Sequence, residues 1–488
     1  MTRGLKNKAL KGFGWIFAGT LGQNILQFIS LIILARLLTP SEYGVVGIAL
    51  VIVNFLKIIS ELGVGPAVVQ RKILTAIHVG TANTLSLMLG IIIALCLYFS
   101  ASYISSFFEM SNLESVIKLL ALMLPGSSLA VVGLSLLQRD LKFRQIAIYN
   151  VLSYFVGYAC IAIPMALMEY GLWSLVFAQL GQIVTINLIV HFIVRDANYY
   201  AFSLGSAREL LSYGVGFSLA RVSNFIAGEG DNLIVGKFLG ASALGVYSNA
   251  YRLMLFPASL IGGVIDKVFF PILSSIQEDR GRISKLYVDI LSLATMLLLP
   301  VSIYLYFFAE EIISLVLGEQ WGDAVIVFQW LIIFLVCRLN YKFSDLLAAA
   351  LGAVYRRAMR QSLYAAAVIV GSYIGHFFGV EGVAAGVGLA ITLNYILMLQ
   401  LSQALIGFSW KAVVFMHLKQ LCIAIPLAVL IYFSKLYFFY ELDSLFFLFL
   451  LSGLFFIFVT ILLWFAFAKA MRRELEVIKI IFGYKVDI

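Results

Sequence analysis

Apolar residues run along this chain in stretches of 20 or more, divided by short breaks that carry charge, Gly or Pro. At ~1.5 Å per residue such a stretch matches the ~30 Å hydrocarbon core of a bilayer. Fourteen transmembrane helices are predicted, near residues 13–37, 43–65, 79–104, 115–137, 146–168, 172–194, 213–238, 243–265, 286–308, 324–348, 359–378, 382–406, 412–433 and 444–468. Pro125, Pro164, Pro257, Pro300 and Pro426 fall inside these spans and are candidate kinks. The expected fold is an all-α polytopic membrane protein.

Charge orients the spans, because Lys and Arg collect in short cytoplasmic loops while acids have little influence. Alternate loops together with both termini hold 25 of the 34 cations. The intervening loops hold only Lys118 and Lys435, yet carry eleven acids. The prediction is a multi-pass membrane protein with both termini cytoplasmic, and an even number of helices keeps the basic tail inside.

Composition agrees with that reading. The 488 residues are 62% hydrophobic and only 12% charged, which excludes a soluble fold. The net charge of +9 is accounted for by the positive-inside rule and anionic membrane lipids, so no nucleic-acid partner is expected. Cys96, Cys160, Cys337 and Cys422 lie in apolar stretches without metal-ligand spacing and read as core residues. No cofactor is expected.

The two halves resemble each other. At an offset of 201, Ala35–Ala49 matches Gly236–Ala250 at five of fifteen positions, and at 208, Leu97–Ser106 matches Leu305–Ser314 at six of ten. Helices 1 to 6 and 7 to 12 therefore read as two repeats, related by an axis along the membrane normal because six is even. The resulting division is a basic N-terminus (1–12), an N-lobe (13–194), a cytoplasmic linker (195–212), a C-lobe (213–406), two appended helices (412–468) and a cytoplasmic tail (469–488). In the tail, Arg472, Arg473 and Lys479 mix with Ile478, Ile481 and Phe482, which suits an interfacial helix or a contact with an assembly partner. Two lobes around a central cavity predict a transporter.

A few ionisable residues remain within the spans, where an isolated charge costs about 2.5–3.5 kcal/mol on insertion scales. Lys57 and Glu61 stand four apart and Lys342 and Asp345 three apart, so each pair is able to neutralise itself. Arg221, Arg252 and Arg338 have no partner at helical spacing in their own spans. Unpaired guanidinium groups facing a cavity suit an anionic cargo, since they bind phosphate oxygens bidentately; the competing reading pairs them with Glu229 or Asp231. The run Ala227-Gly-Glu-Gly-Asp231 is expected to interrupt its helix, either as a site for a coupling H+ or Na+ or as a bend whose carboxylates serve as counterions.

Several motifs together resemble the bacterial polysaccharide exporters of the oligosaccharide flippase type. They are Gly12-Phe-Gly-Trp15, Ala35-Arg-Leu-Leu-Thr-Pro-Ser-Glu-Tyr-Gly44, Glu61-Leu-Gly63, Gly171-Leu-Trp173, Asp231-Asn-Leu-Ile-Val-Gly-Lys-Phe-Leu-Gly240 and Tyr247-Ser-Asn-Ala-Tyr-Arg252. That group shares a superfamily with multidrug and toxin extruders and lipid II flippases. The resemblance implies export of an undecaprenyl-diphosphate-linked oligosaccharide for lipopolysaccharide, capsule or exopolysaccharide, driven by a cation gradient or the membrane potential. The cationic cavity attributed to such flippases maps onto Arg221, Arg252, Arg338 and Lys342, with Glu229, Asp231, Lys57 and Glu61 as coupling groups or counterions. Only Asp231 and Arg252 fall within a matched motif.

Three other functions compete with this reading. A lipid II flippase shares the fold and the carrier lipid. A cation-coupled multidrug antiporter is expected to concentrate carboxylates in its cavity. A membrane glycosyltransferase or polymerase needs a sizeable outer loop, and the longest here is about 15 residues. No Gly-rich phosphate loop, metal cluster or nucleophile elbow is present in the sequence, so an enzyme is not expected.

Overall fold

The computed structural model describes residues 3–194, 197–275, 279–439 and 445–467, and among them no strand is present. The tail 469–488, predicted to be interfacial, lies outside the described residues, as do linker positions 195 and 196. In chain order the first helices are α1 (Arg3–Leu37), α2 (Pro40–Glu61), α3 (Val64–Gln70), α4 (Ala76–Phe108), α5 (Leu113–Leu120) and α6 (Met123–Arg139). Next come α7 (Phe143–Tyr154), a π-helical stretch Phe155–Ala162, α8 (Ile163–Leu167), α9 (Trp173–Ile193), α10 (Leu204–Phe238) and α11 (Gly240–Ser275). The remainder are α12 (Arg280–Phe307), α13 (Ala309–Val316), α14 (Ala324–Ile333), α15 (Leu335–Ala350), α16 (Val354–Gly375), α17 (Gly379–Ile406), α18 (Trp410–Ser434) and α19 (Leu445–Ala466).

Packing divides the chain into two compact units, Met1–Ser248 with Val316–Gln320, and Asn249–Leu315 with Trp321–Ile488. The boundary falls inside α11, and α10, the first helix of the second sequence repeat, packs on α2, α3 and α4. Among the described residues ten segments are long and apolar enough to cross a bilayer, or eleven if α14 and α15, bent by 45° at their junction, form one span. Fourteen spans are thus not reached by length and hydropathy. One of the ten, Val354–Ile406, contains both α16 and α17. The charges that α10 and α11 carry, from Arg221 to Asp266, lower their apolar character.

Local chemistry sets the turns of the first unit. Thr39 caps α2: its hydroxyl oxygen accepts from the Glu42 amide at 3.4 Å, the Glu42 carboxylate accepts from the Thr39 amide at 2.7 Å, and Pro40 occupies the first turn. This reciprocal cap satisfies backbone groups that the hairpin between α1 and α2 would otherwise leave bare. Leu62 and Gly63, both with positive φ, break the chain between α2 and α3. A core of Val64, Val68, Val79, Ala82, Val132 and Leu210 ties α3, α4, α6 and α10 together.

Loops assigned to the same side by charge meet in this unit. At one end Arg71 pairs with Glu209, His78 Nε2 lies 3.2 Å from the same carboxylate, and Arg139 donates to the Val68 carbonyl at 3.0 Å and the Lys72 carbonyl at 3.1 Å. The hydrogen bond from His78 and then the Arg71 guanidinium hold the exposed Glu209 carboxyl below its usual range. Elsewhere, Lys237 donates to Glu109 at 2.9 Å and Gln320 donates to the carbonyl of Ala35 at 2.6 Å, joining loops that the charge rule places on the other side.

In the second unit α16 and α17 form a hairpin held at close range by glycines. A Cβ on Gly371, Gly375, Gly382 or Gly386 would collide with the facing backbone, which is the small-residue packing that membranes favour where lipid removes the hydrophobic drive between helices. The appended helices α18 and α19 pack against α12 through Met296, Ile423, Leu427, Val459 and Leu463.

Candidate functional site

The first unit carries an open polar cavity of about 360 Å³ between α2, α6, α7 and α9. Helix spacing puts Asn54, Lys57 and Glu61 on one face of α2, since positions three and four apart lie one above the other. Ser127, Ser135 and Gln138 come from α6, Asn150 and Ser153 from α7, and Gln179 and Gln182 from α9. The π-helical stretch resets the register of the chain just beyond Ser153. There Tyr154 and Tyr158 stack with ring centroids 4.3 Å apart, and Gln179 donates to the Tyr158 hydroxyl at 2.8 Å. Gly157 lies against the Ala178 carbonyl and the Gln182 side chain, which lets α9 approach closely.

A three-charge cluster borders this cavity. Lys57 Nζ lies 3.9 Å from Glu61 Oε1, and Arg221 Nη1 on α10 donates to Glu61 Oε2 at 3.1 Å. One carboxylate between two cations leaves a net positive charge where desolvation is costly, and each partner reduces the penalty of the others. Glu61 therefore answers the search for an Arg221 counterion, in place of the carboxylates on α10. Its pairing with Lys57 is the one expected from spacing.

The run Ala227–Asp231 does not break its helix: α10 continues without interruption from Leu204 to Phe238. Gly lowers helix stability by only about 1 kcal/mol relative to Ala, and a continuing ladder of backbone hydrogen bonds outweighs that. The carboxylates have their own partners. Tyr247 donates to Asp231 Oδ2 at 2.6 Å, the Asn232 amide donates to Asp231 Oδ1 at 2.9 Å, and the Asn232 side chain donates to Glu229 at 2.8 Å. Asp231 is only 3% exposed.

In the second unit Arg338 and Lys342 project from α15. Arg338 donates to the Tyr364 hydroxyl at 2.9 Å, and its guanidinium lies 5.5 Å from the centre of the Tyr341 ring. Asp345, the in-helix partner expected for Lys342, is instead held by both nitrogens of the Arg357 fork, one at 2.8 Å. Planar guanidinium matches a carboxylate better than an ammonium does. Lys342 is half-buried and Arg252, on α11, is exposed; neither has a hydrogen bond or ion pair among the described residues. The eight charged positions thus fall into the Lys57–Glu61–Arg221 cluster, the Glu229 and Asp231 network, the α15 pair and Arg252. Missing from the sequence reading are the cavity amides, Asn54, Gln138, Asn150, Gln179 and Gln182, which a search for charges within spans passes over.

A family model described as polysaccharide biosynthesis protein matches residues 33–326. The chain belongs to that family. The chain is 30% identical over 318 residues to the succinoglycan biosynthesis transport protein ExoT of Rhizobium meliloti (strain 1021), a match covering 64% of the chain and 63% of the relative. It is 23% identical over 400 residues to the lipopolysaccharide biosynthesis protein WzxC of Escherichia coli (strain K12), covering 80% of each. The chain spans less than two thirds of the length of ExoT in that match. Its fold is that of the lipid II flippase MurJ in an inward closed conformation, with a TM-score of 0.77, 17% identity, and coverage of 94% of this chain and 99% of that one. A multidrug resistance MATE family transporter in an inward-facing conformation follows at a TM-score of 0.62 and 18% identity, covering 79% and 94%. The chain is thus a multi-pass helical membrane protein that shares its fold with these two proteins. The family match contains the Lys57–Glu61–Arg221 cluster, Glu229, Asp231 and Arg252, whereas Arg338 and Lys342 lie beyond it.

Proposed function

We propose that this protein is a flippase that carries an undecaprenyl-diphosphate-linked oligosaccharide from the cytoplasmic to the outer leaflet of the bacterial inner membrane, with both termini cytoplasmic. The observation that carries the reading is the net-positive Lys57–Glu61–Arg221 cluster, of which Lys57 and Glu61 line a polar cavity inside a membrane unit and Arg221 stands behind Glu61. Residual positive charge there attracts a diphosphate, and the second unit carries cations of its own in Arg252, Arg338 and Lys342. The transport named for ExoT and the flipping named for MurJ support the same activity. A multidrug antiporter is disfavoured, because the single carboxylate of the cavity is claimed by two cations.

An outward movement of negative charge gains roughly 2.3 kcal/mol per charge from an inside-negative potential of 100 mV, so a coupling H+ or Na+ is not required. The test is complementation of a flippase-deficient strain with the intact gene and with Arg221→Ala, Arg252→Ala and Arg338→Ala at matched protein levels. Loss of surface glycan with lipid-linked intermediate trapped inside is the expected result for the variants. Normal export by all three would remove the arginines from the site, and failure of the intact gene would reject the function.

A further inference from the structure

The walls of the cavity divide chemically. Charge is confined to the α2 side, where Lys57, Glu61 and Arg221 meet. The α6, α7 and α9 walls are uncharged and rich in amides: Gln138, Asn150, Gln179 and Gln182, with Asn54 completing the set from α2. Gln179 is engaged by Tyr158. The other four, Asn54, Gln138, Asn150 and Gln182, have side-chain amides without a hydrogen-bond partner among the described residues, yet they remain accessible from the cavity.

Asn54 and Gln138 are exposed and Asn150 and Gln182 half-buried, so four unpartnered amides on one cavity wall are free to pair with a polar occupant. Each amide offers two N–H donors and a carbonyl acceptor. A phosphate oxygen only accepts, so a phosphate site needs donors alone, as guanidinium and ammonium provide. A sugar hydroxyl both donates and accepts, and a neutral wall of amides is its complement. The volume, about 360 Å³, is within the roughly 300–1,000 Å³ typical of ligand pockets.

We propose that this amide wall is a glycan subsite: the hydroxyls of the sugars nearest the diphosphate bind Asn54, Gln138, Asn150 and Gln182, while the phosphates bind at the Lys57 and Arg221 edge. The inference rests on the flippase reading and assigns the choice of glycan to α6, α7 and α9 rather than to the arginines.

The test begins in a flippase-deficient host complemented by the intact gene, whose repeat unit contains galactose and is labelled metabolically with tritiated galactose. A photo-crosslinking amino acid is placed at Gln182, and at the exposed Phe99 on α4 as control. Tritium crosslinked at position 182 but not at 99, and abolished when the host glycosyltransferase that adds the first labelled sugar is deleted, is the expected result. The paired variant Asn150→Ala with Gln182→Ala is expected to lower export about tenfold at unchanged melting temperature, as the loss of two neutral hydrogen bonds implies. Intact export by that variant together with no sugar crosslink at 182 would leave the cavity an aqueous vestibule only and overturn the glycan subsite, while the flippase reading stood. Failure of the intact gene to complement overturns both.

Discussion

Gly44 and Gly245 occupy equivalent positions of the internal repeat, and each abuts the other's segment: Gly44 meets the carbonyl of Ala241, and Gly245 meets the carbonyl of Pro40. Pro40 and Ala241 are themselves equivalent at the same offset of 201. The contact is therefore reciprocal, as a local two-fold relation requires, and similarity in one dimension becomes a pairing in three. Neither glycine has room for a Cβ. Gly44→Ala and Gly245→Ala should each cost about 1–3 kcal/mol through overpacking, read as a fall in apparent melting temperature in nanodiscs. Gly22→Ala, with open space around it, is the control; equal melting of all three would contradict the contact.

Gly228 sits in the unbroken α10 with nothing near its Cβ position. Gly228→Ala should therefore stabilise by about 0.5–1 kcal/mol, the ordinary helix-propensity gain. A marked loss of stability would mean that the run from Ala227 to Asp231 leaves helical geometry after all.

The Glu61–Arg221 pair is open to a double-mutant cycle. Glu61→Gln alone leaves Lys57 and Arg221 as neighbouring cations without their shared counterion, and Arg221→Gln alone leaves Glu61 with Lys57 only. With the Arg221 side chain 41% exposed, the coupling should be about 1 kcal/mol, at the upper end for solvent-reached pairs. Thermal unfolding of both single variants and the double supplies the cycle, and strict additivity would show that the 3.1 Å contact carries no energy.

Glu209 predicts a response to acid. Its folded-state pKa is lowered, first by the hydrogen bond from His78 and then by Arg71, so its contribution is present above the ordinary value of 4.5 and is lost as pH falls through the lower folded value. The melting-temperature difference between the native chain and Glu209→Gln should be steady from neutral pH to about 4.5 and shrink below it. A difference that stays constant into stronger acid would detach this carboxylate from His78 and Arg71.

Much of this protein could be read before any fold was known. The helical, multi-pass class follows from runs of apolar residues, a property of consecutive residues facing a bilayer, whereas the expected fourteen spans are not reached by length and hydropathy among the described residues. The pairing of Lys57 with Glu61 was legible too, because four residues on one helix are always neighbours. The expected break at Ala227–Asp231 went wrong for a related reason: a local Gly preference is worth about 1 kcal/mol, and the surrounding backbone ladder overrides it.

Tertiary structure alone decided which faces meet. Glu61 and Arg221 are 160 positions apart, Asp345 takes Arg357 instead of its helical neighbour Lys342, and nothing in either sequence window names those partners. The amides of the cavity stayed invisible because neutral side chains violate no rule of membrane insertion strongly enough to stand out singly. Only when α2, α6, α7 and α9 pack do Asn54, Gln138, Asn150 and Gln182 converge. The bilayer acts on each segment separately and so writes its demands into the sequence, whereas the rotation of one helix against another is set by close packing of many side chains at once, which no single segment records.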